Sequence, residues 1–212
     1  MILLLPFIPI AILLIVTPGP DTALVTRNGF RGGRSSALLT SLGVVSGLFV
    51  WTAAAAFGVA TVLEANALAF TALKLAGAAY LAYMGIRALL SVRKGDGTPD
   101  DLKLSGNRLA LFGRMKSPFL QGLLSDILNP KTAVVFTSLI LQFITPGPTV
   151  GIETAELGSI FASMALGWLA VFSIMVGATG SFLRNPRIRK TLEAVTGIVL
   201  IGLGIEVATE TR

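Results

Sequence analysis

Long uncharged hydrophobic stretches alternate with short polar segments along the chain. Six stretches come close to the length of a membrane-spanning helix, which needs about 18–20 mainly apolar residues. We place them at about residues 2–26, 36–63, 67–90, 118–144, 157–183 and 191–207. The pattern therefore predicts an all-α integral membrane protein with six transmembrane helices.

Two of the six stretches contain proline motifs. Pro18, Gly19 and Pro20 lie inside the first stretch, and Asn129 and Pro130 lie inside the fourth. Because proline has no backbone N–H and clashes with the preceding turn, each motif should break its helix. Broken backbone is tolerated inside a bilayer only where protein buries it or where it lines a cavity. We therefore expect helices 1 and 4 to be broken and to border a cavity.

Composition supports a membrane location and excludes several kinds of chemistry. Only 13% of the 212 residues are charged, whereas soluble domains carry about 25%. The chain has no Cys and no His, which removes thiol redox chemistry and the usual zinc and haem ligands, so we expect no cofactor and no bound metal. The net charge is +6, but Lys and Arg occur in short runs between apolar stretches, so we expect no nucleic-acid partner.

The charge distribution predicts the orientation in the membrane. Lys and Arg concentrate after stretches one, three and five, whereas the segments after stretches two and four carry only Glu64, Glu153 and Glu156. Because cytoplasmic loops are enriched in Lys and Arg, we expect both termini on the outer face. Residues 27–34 are predicted to form an inner loop, and residues 145–148 an outer polar turn.

The two broken stretches also resemble each other. Residues 20–25 and 130–135 are identical at four of six aligned positions, and a weaker similarity links the third and sixth stretches. The chain therefore reads as two three-helix repeats, residues 1–92 and 117–212, joined by a cytoplasmic linker at residues 93–116. An odd number of spans inverts the second repeat. Inverted repeats with a broken helix in each half are typical of secondary transporters, whose substrate binds where the broken helices meet.

Asp21 and Lys131 occupy equivalent positions in the two repeats, so pseudo-symmetry would bring opposite charges together. One interpretation is a structural ion pair, since an isolated charge at the middle of a spanning helix costs about 3 kcal/mol. The other is a substrate site, in which an amino acid places its ammonium on Asp21 and its carboxylate on Lys131. Burial favours the protonated form of a carboxyl group. Asp21 or Asp126 could therefore carry a coupling proton, and helix capping is the alternative role for Asp126.

Three motifs carry a resemblance to a known family. Residues 17–21, residues 121–131 and the pair Gln142-Phe143 resemble the lysine exporter and homoserine-threonine resistance (LysE/RhtB-type) family of amino-acid efflux transporters. The resemblance covers essentially the whole chain. It implies a bacterial inner-membrane exporter of amino acids or close derivatives, driven by the proton gradient. The substrate-binding residues it implies are Pro18, Gly19, Pro20, Asp21, Asn129, Pro130 and Lys131. Leu141 replaces an expected proline, so the outer end of helix 4 should be straighter.

Two alternative functions would use the same carboxyl groups. A cation or metal transporter could use the oxygen atoms of Asp21 and Asp126, although Lys131 would repel the cation. An intramembrane aspartyl-type enzyme could use the same pair, but we expect a transporter and no enzyme. The expected partners are a small amino acid, protons and the lipid bilayer. The small-residue pattern from Gly43 to Gly47 would permit a homodimer or close packing within one chain.

Overall fold

The computed structural model describes residues 4–65, 115–144 and 147–179, and single positions between residues 72 and 90 and between residues 190 and 205. The helices are α1 (Leu4–Val16), α2 (Pro20–Ala65), α3 (Pro118–Ile127), α4 (Pro130–Val134) and α5 (Val150–Thr179). After α4 the chain continues as a π-helical turn at Val135–Leu139 and a 3-10 turn at Ile140–Phe143. The all-α prediction is confirmed for these parts of the chain, which contain no strand.

Several described helices are long and apolar enough to cross a membrane. Pro20–Gly58 and Val150–Met175 meet this criterion singly, and Pro118–Ile127 with Pro130–Phe143 forms a third candidate that is bent by 49° at its break. These helices indicate a multi-pass membrane protein. The predicted linker and most of the predicted third and sixth helices lie outside the described residues. Within those two helices, Gly85 and Gly197 pack together, since a Cβ on Gly85 would lie 2.6 Å from the Gly197 carbonyl oxygen.

Both predicted helix breaks are present. Helix α1 ends at Val16 and α2 begins at Pro20, while α3 ends at Ile127 and α4 begins at Pro130. The main apolar core lies where α1, α2, α5 and residues 135–144 meet. The breaks therefore lie beside a packed core that can hold interrupted backbone in place.

The predicted loop at residues 27–34 is wrong, because α2 continues through them and departs from helical geometry only at Gly33. The φ of Gly33 is 70°, in the left-handed region that favours glycine. Asn28 Nδ2 donates to Thr40 Oγ1 at 2.9 Å, although a straight helix would separate residues twelve apart by about 18 Å. Helix α2 is therefore two packed arms, residues 20–32 and 34–65, joined by a turn at Gly33.

A buried polar network explains why the first arm stays helical. Asn28 Nδ2 also donates to Gln121 Oε1 at 3.0 Å, and Gln121 Nε2 donates to the Met115 carbonyl oxygen at 2.7 Å. Asn28, Thr40 and Gln121 are all buried, and a buried polar group is costly unless it is hydrogen-bonded. The network joins both arms of α2 to the start of α3, although α2 and α3 are far apart in the sequence.

Glycines allow α2 and α3 to cross in close contact. A Cβ on Gly43 would collide with the carbonyl oxygen of Phe119, and a Cβ on Gly122 would collide with that of Thr40. Gly47 lies against the Asp126 side chain, where a Cβ would come within 2.6 Å of Oδ2. The pattern from Gly43 to Gly47 thus packs within the chain, and α3 covers this face.

Gly43→Ala is expected to lower the free energy of unfolding by about 1–3 kcal/mol, because the added methyl group meets rigid backbone. Gly167→Ala is the matched control, since no atom lies within 4 Å of a Cβ built on this exposed glycine of α5. Thermal unfolding in detergent should show a lower Tm for Gly43→Ala only. Equal Tm values for both variants and the wild type would contradict the close crossing.

Two further expectations differ from the structure. Helix α5 begins at Val150, earlier than the predicted residue 157. Glu153 lies in its first turn, where the helix dipole favours an acidic residue, and Thr149 Oγ1 donates to Glu153 Oε1 at 3.0 Å. The expectation of a straighter outer end after Leu141 is also wrong, because residues 135–143 leave α-helical geometry. Residues 145 and 146 of the predicted turn lie outside the described residues.

Candidate functional site at the two helix breaks

A cavity of about 70 Å³ lies between the two helix breaks. A water molecule needs about 10–15 Å³ on this scale, so the cavity suits a small polar molecule. Its polar side chains come from the breaks and the residues beside them: Thr17, Asp21, Thr22, Asp126, Asn129, Lys131 and Thr132. Its apolar wall is formed by Leu14, Ile15, Val44, Leu48, Val135, Phe161, Ala165 and Leu169.

Asp21 connects the first break to the second. Pro20 starts α2 and Asp21 lies in its first turn, where the partial positive charge of the helix terminus stabilises a carboxylate. Asp21 Oδ1 accepts a hydrogen bond from Ser125 Oγ at 2.7 Å, and Oδ2 accepts one from Asn129 Nδ2 at 2.7 Å. The carboxylate is therefore held in one orientation by two groups near the second break, Ser125 of α3 and Asn129.

Asn129 has a fixed orientation because both ends of its side-chain amide are used. It is the N-cap of α4, and its Oδ1 accepts from the backbone N–H of Lys131 at 3.0 Å. Capping by Asn satisfies one of the unpaired N–H groups at a helix start. Its Nδ2 is then directed toward Asp21. Asn129 thus positions the carboxylate and starts the second half of the broken helix.

Lys131 reaches across to the end of α1. Its Nζ donates to the Leu14 carbonyl oxygen at 2.9 Å. That carbonyl needs another donor because its helical partner would be Pro18, which has no N–H. A cation is also favoured near the C-terminus of a helix. Pro18 therefore leaves the Leu14 carbonyl oxygen available to Lys131, and Lys131 lines the same cavity as Asp21.

Asp126 is only 1% exposed. Its Oδ1 accepts from Thr132 Oγ1 at 2.9 Å, and its Oδ2 is buried without a hydrogen-bond partner among the described residues. Gly47 provides the space for this carboxyl group. The capping role considered for Asp126 belongs instead to Asn129 at α4. Asp126 is a buried carboxyl group at the edge of the cavity.

The cavity brings together most of the residues that sequence analysis selected. Gly19, Pro20, Asp21, Asn129 and Lys131 line it, together with Asp126. Pro18 and Pro130 are not among its lining residues, and they shape the site by interrupting the helices.

Sequence analysis did not select three residues that support the site. Ser125 donates to Asp21, Thr132 donates to Asp126, and Gly47 makes room for the Asp126 carboxyl group. Thr132 had a usable signal in the sequence, because it aligns with Thr22 where residues 130–135 resemble residues 20–25. Both threonines line the cavity. The apolar wall from α5 had none, since hydrophobic residues there look like any membrane helix.

Comparison with known proteins identifies the family. The family model described as LysE type translocator matches residues 12–211. The chain is 33% identical to the uncharacterized membrane protein YrhP of Bacillus subtilis, over 96% of this chain and 97% of that protein. It is 31% identical to a threonine efflux protein of Escherichia coli K12, with the same coverage. A threonine efflux protein of Salmonella typhi is 30% identical, over 92% of this chain and 91% of its own length.

No solved structure matches the chain. The resemblance stated from the sequence motifs is confirmed by the family match, and the prediction of a transporter rather than an enzyme is confirmed with it. The chain belongs to the LysE type translocator family.

Proposed function

We propose that this protein is a secondary active exporter of small amino acids or close derivatives across the bacterial inner membrane. The substrate binds between the two broken helices, with its ammonium on Asp21 and its carboxylate on Lys131. Two relatives that are 31% and 30% identical carry the name threonine efflux protein, which supports an amino-acid substrate.

The observation that carries the proposal is the shared cavity with opposite charges. Asp21 and Lys131 both line it, and each is held by a partner other than a substrate, Asp21 by Ser125 and Asn129, and Lys131 by Leu14. A carboxylate has about four lone-pair sites, so Asp21 can accept a ligand ammonium beside its two existing hydrogen bonds. A zwitterionic amino acid could therefore bind with its ammonium on the oriented carboxylate of Asp21 and its carboxylate on the oriented ammonium of Lys131.

Alternating access follows from the proposed inverted repeats, residues 1–92 and 117–212, linked by residues 93–116. Rocking of one repeat against the other would expose the site to each face in turn. The Asp21 contacts to Ser125 and Asn129 cross between the repeats, so substrate binding can influence how the repeats meet. The distribution of Lys and Arg supports an orientation with both termini on the outer face.

Efflux from proteoliposomes tests this function. Purified protein should release radiolabelled threonine or alanine faster than protein-free liposomes do, and an imposed pH gradient should accelerate the release. Parallel vesicles loaded with a divalent metal ion should show no protein-dependent release. Metal efflux without amino-acid efflux would overturn the proposal.

Asp126 is the proposed proton carrier. Its buried Oδ2 has no hydrogen-bond partner in the described parts of the chain, and burial of an unpaired charge is costly, so a bound proton would stabilise this group. Asp21 differs, because both of its oxygens accept hydrogen bonds. In this proposal Asp21 binds the substrate and Asp126 carries the proton.

Asp126→Asn should therefore uncouple transport from the pH gradient. The variant keeps the size of the side chain and an acceptor for Thr132, but it cannot release a proton. We expect proteoliposomes to retain amino-acid exchange between their two sides, while gradient-driven net efflux falls to the protein-free rate. Gradient-driven efflux at the wild-type rate would rule out Asp126 as the carrier.

The alternatives have weaker support. No group of three or more Asp, Glu, His or Cys side chains that could hold a metal occurs among the residues described, and Lys131 would repel a cation in the same cavity.

An aspartyl-type mechanism needs two carboxyl groups that act together. Asp21 instead bonds Ser125 and Asn129, while Asp126 bonds Thr132.

A further inference from the structure

We infer that the α5 wall of the cavity receives the substrate side chain, and that Ala165 sets the size of side chain that is accepted. This inference rests on the proposed function and adds a substrate class to it. Phe161, Ala165 and Leu169 are the α5 residues that line the cavity. They are spaced four residues apart, so they lie on one face of the helix.

This wall is apolar and buried. Phe161, Ala165 and Leu169 are 6%, 4% and 5% exposed. The polar side chains that line the cavity come from the two breaks and the residues beside them, and none comes from the described part of α5. A substrate whose charged groups bind at the breaks therefore presents its side chain to an apolar surface.

Packing behind the wall keeps its shape. The Phe161 ring contacts the Phe136 ring edge-on, with centroids 5.8 Å apart. Leu169 belongs to a buried cluster with Val44 and Val45 of α2. Ala165 is the smallest of the three α5 residues and lies between two larger side chains that cannot easily move. The small Ala165 side chain thus leaves a recess in the wall. We expect the size of this recess to limit the size of the substrate side chain.

These features define a substrate class, which is α-amino acids with a short uncharged side chain. A methyl or isopropyl group suits the apolar recess, and a hydroxyethyl group is short enough to keep its hydroxyl near the polar side chains of the breaks. A lysine, arginine or glutamate side chain would bury a charge without a partner at this wall, which is costly. At about 10–15 Å³ for one water, the cavity of about 70 Å³ has room for roughly five to seven water-sized groups, which favours a short side chain over an aromatic one once the ammonium and carboxylate are bound.

Substitution at Ala165 tests the inference in proteoliposomes. The readout is the ratio of initial efflux rates for valine and alanine. Ala165→Leu fills the recess and should lower the ratio about tenfold or more, since a few methylene groups in an apolar pocket discriminate by at least that factor. Ala165→Gly enlarges the recess and should raise the ratio. Ser163→Leu adds similar bulk to an exposed position of α5 and should leave the ratio unchanged.

The outcomes separate this inference from the proposed function. Unchanged ratios in both Ala165 variants, with amino-acid efflux intact, would overturn the α5 subsite and leave the exporter in place. Lysine or phenylalanine efflux by the wild type as fast as alanine efflux would also overturn it. If Ala165→Leu does not fold, Ala165→Gly decides the question. Absence of any amino-acid efflux from the wild type would instead overturn the proposed function itself.

Discussion

Asp21→Asn is expected to reduce amino-acid efflux from proteoliposomes at least about 30-fold, because removing one partner of a buried charge pair costs about 2–5 kcal/mol and each 1.4 kcal/mol is a factor of about ten. The substitution preserves side-chain size but removes the charge that we propose binds the substrate ammonium. It also turns an acceptor into a donor opposite Asn129 Nδ2, which now donates to Asp21 Oδ2 at 2.7 Å. The measurement is the initial rate of radiolabelled threonine efflux.

Membrane insertion and folding should survive this substitution, because Ser125 can still donate to the remaining oxygen of residue 21. Glu156→Gln is the control, since it removes a carboxylate from an exposed position on α5 and should leave efflux unchanged. Wild-type efflux by Asp21→Asn would contradict a role for Asp21 in substrate binding.

Lys131→Met is the second substitution with a large expected effect. It keeps an aliphatic side chain and removes the ammonium that we propose binds the substrate carboxylate. We expect efflux to fall at least about 30-fold for the same reason, the loss of one partner of a charge pair in a buried site. The Leu14 carbonyl also loses its 2.9 Å hydrogen bond, so Tm should decrease slightly.

Two further variants separate charge from packing at residue 131. Lys131→Arg keeps the charge and should retain part of the efflux, although its planar group cannot reproduce the geometry of an ammonium. Lys116→Met removes an exposed lysine just before α3 and should have no effect. Equal efflux by Lys131→Met and the wild type would leave the lysine with a structural role only.

The helix breaks could be predicted because proline acts locally. Pro18, Pro20 and Pro130 lie where one helix has ended or the next begins, because a residue without an N–H is tolerated at a helix start and disfavoured inside a helix, although α1 continues through Pro9. The convergence of Asp21 and Lys131 on one cavity was expected from a second signal, the sequence similarity of residues 20–25 and 130–135, which aligns the two side chains. Both signals lie in short segments of the sequence, so no knowledge of distant contacts was needed.

Other features depend on contacts that the sequence does not display. Three Arg and three Gly residues made residues 27–34 look like a loop, yet Asn28 is held in a helix by Thr40 and Gln121. The hydrogen bond from Lys131 to Leu14 joins residues 117 apart in the sequence. Tertiary contacts of this kind override the local preference of residues 27–34 for a loop. They also join residues that are distant in sequence, so the hydrogen-bond partner of Lys131 could not be predicted.

The α5 wall could not be predicted for a different reason. Phe161, Ala165 and Leu169 are apolar residues in a part of α5, residues 157–179, that has no charged side chain and is mostly apolar, so periodicity does not distinguish the face toward the cavity from the faces toward lipid. Only the packed structure separates them.

The central claim is that the substrate binds through its ammonium to Asp21 and through its carboxylate to Lys131. The most direct test is the ratio of affinities for threonine and threonine amide, measured by calorimetry on purified wild type and Lys131→Met. Threonine amide keeps the ammonium and replaces the carboxylate with a neutral group. If Lys131 binds the carboxylate, the wild type should prefer threonine by about tenfold or more, as expected when a charged partner is lost, and Lys131→Met should bind both alike. The same preference in wild type and variant would contradict the account.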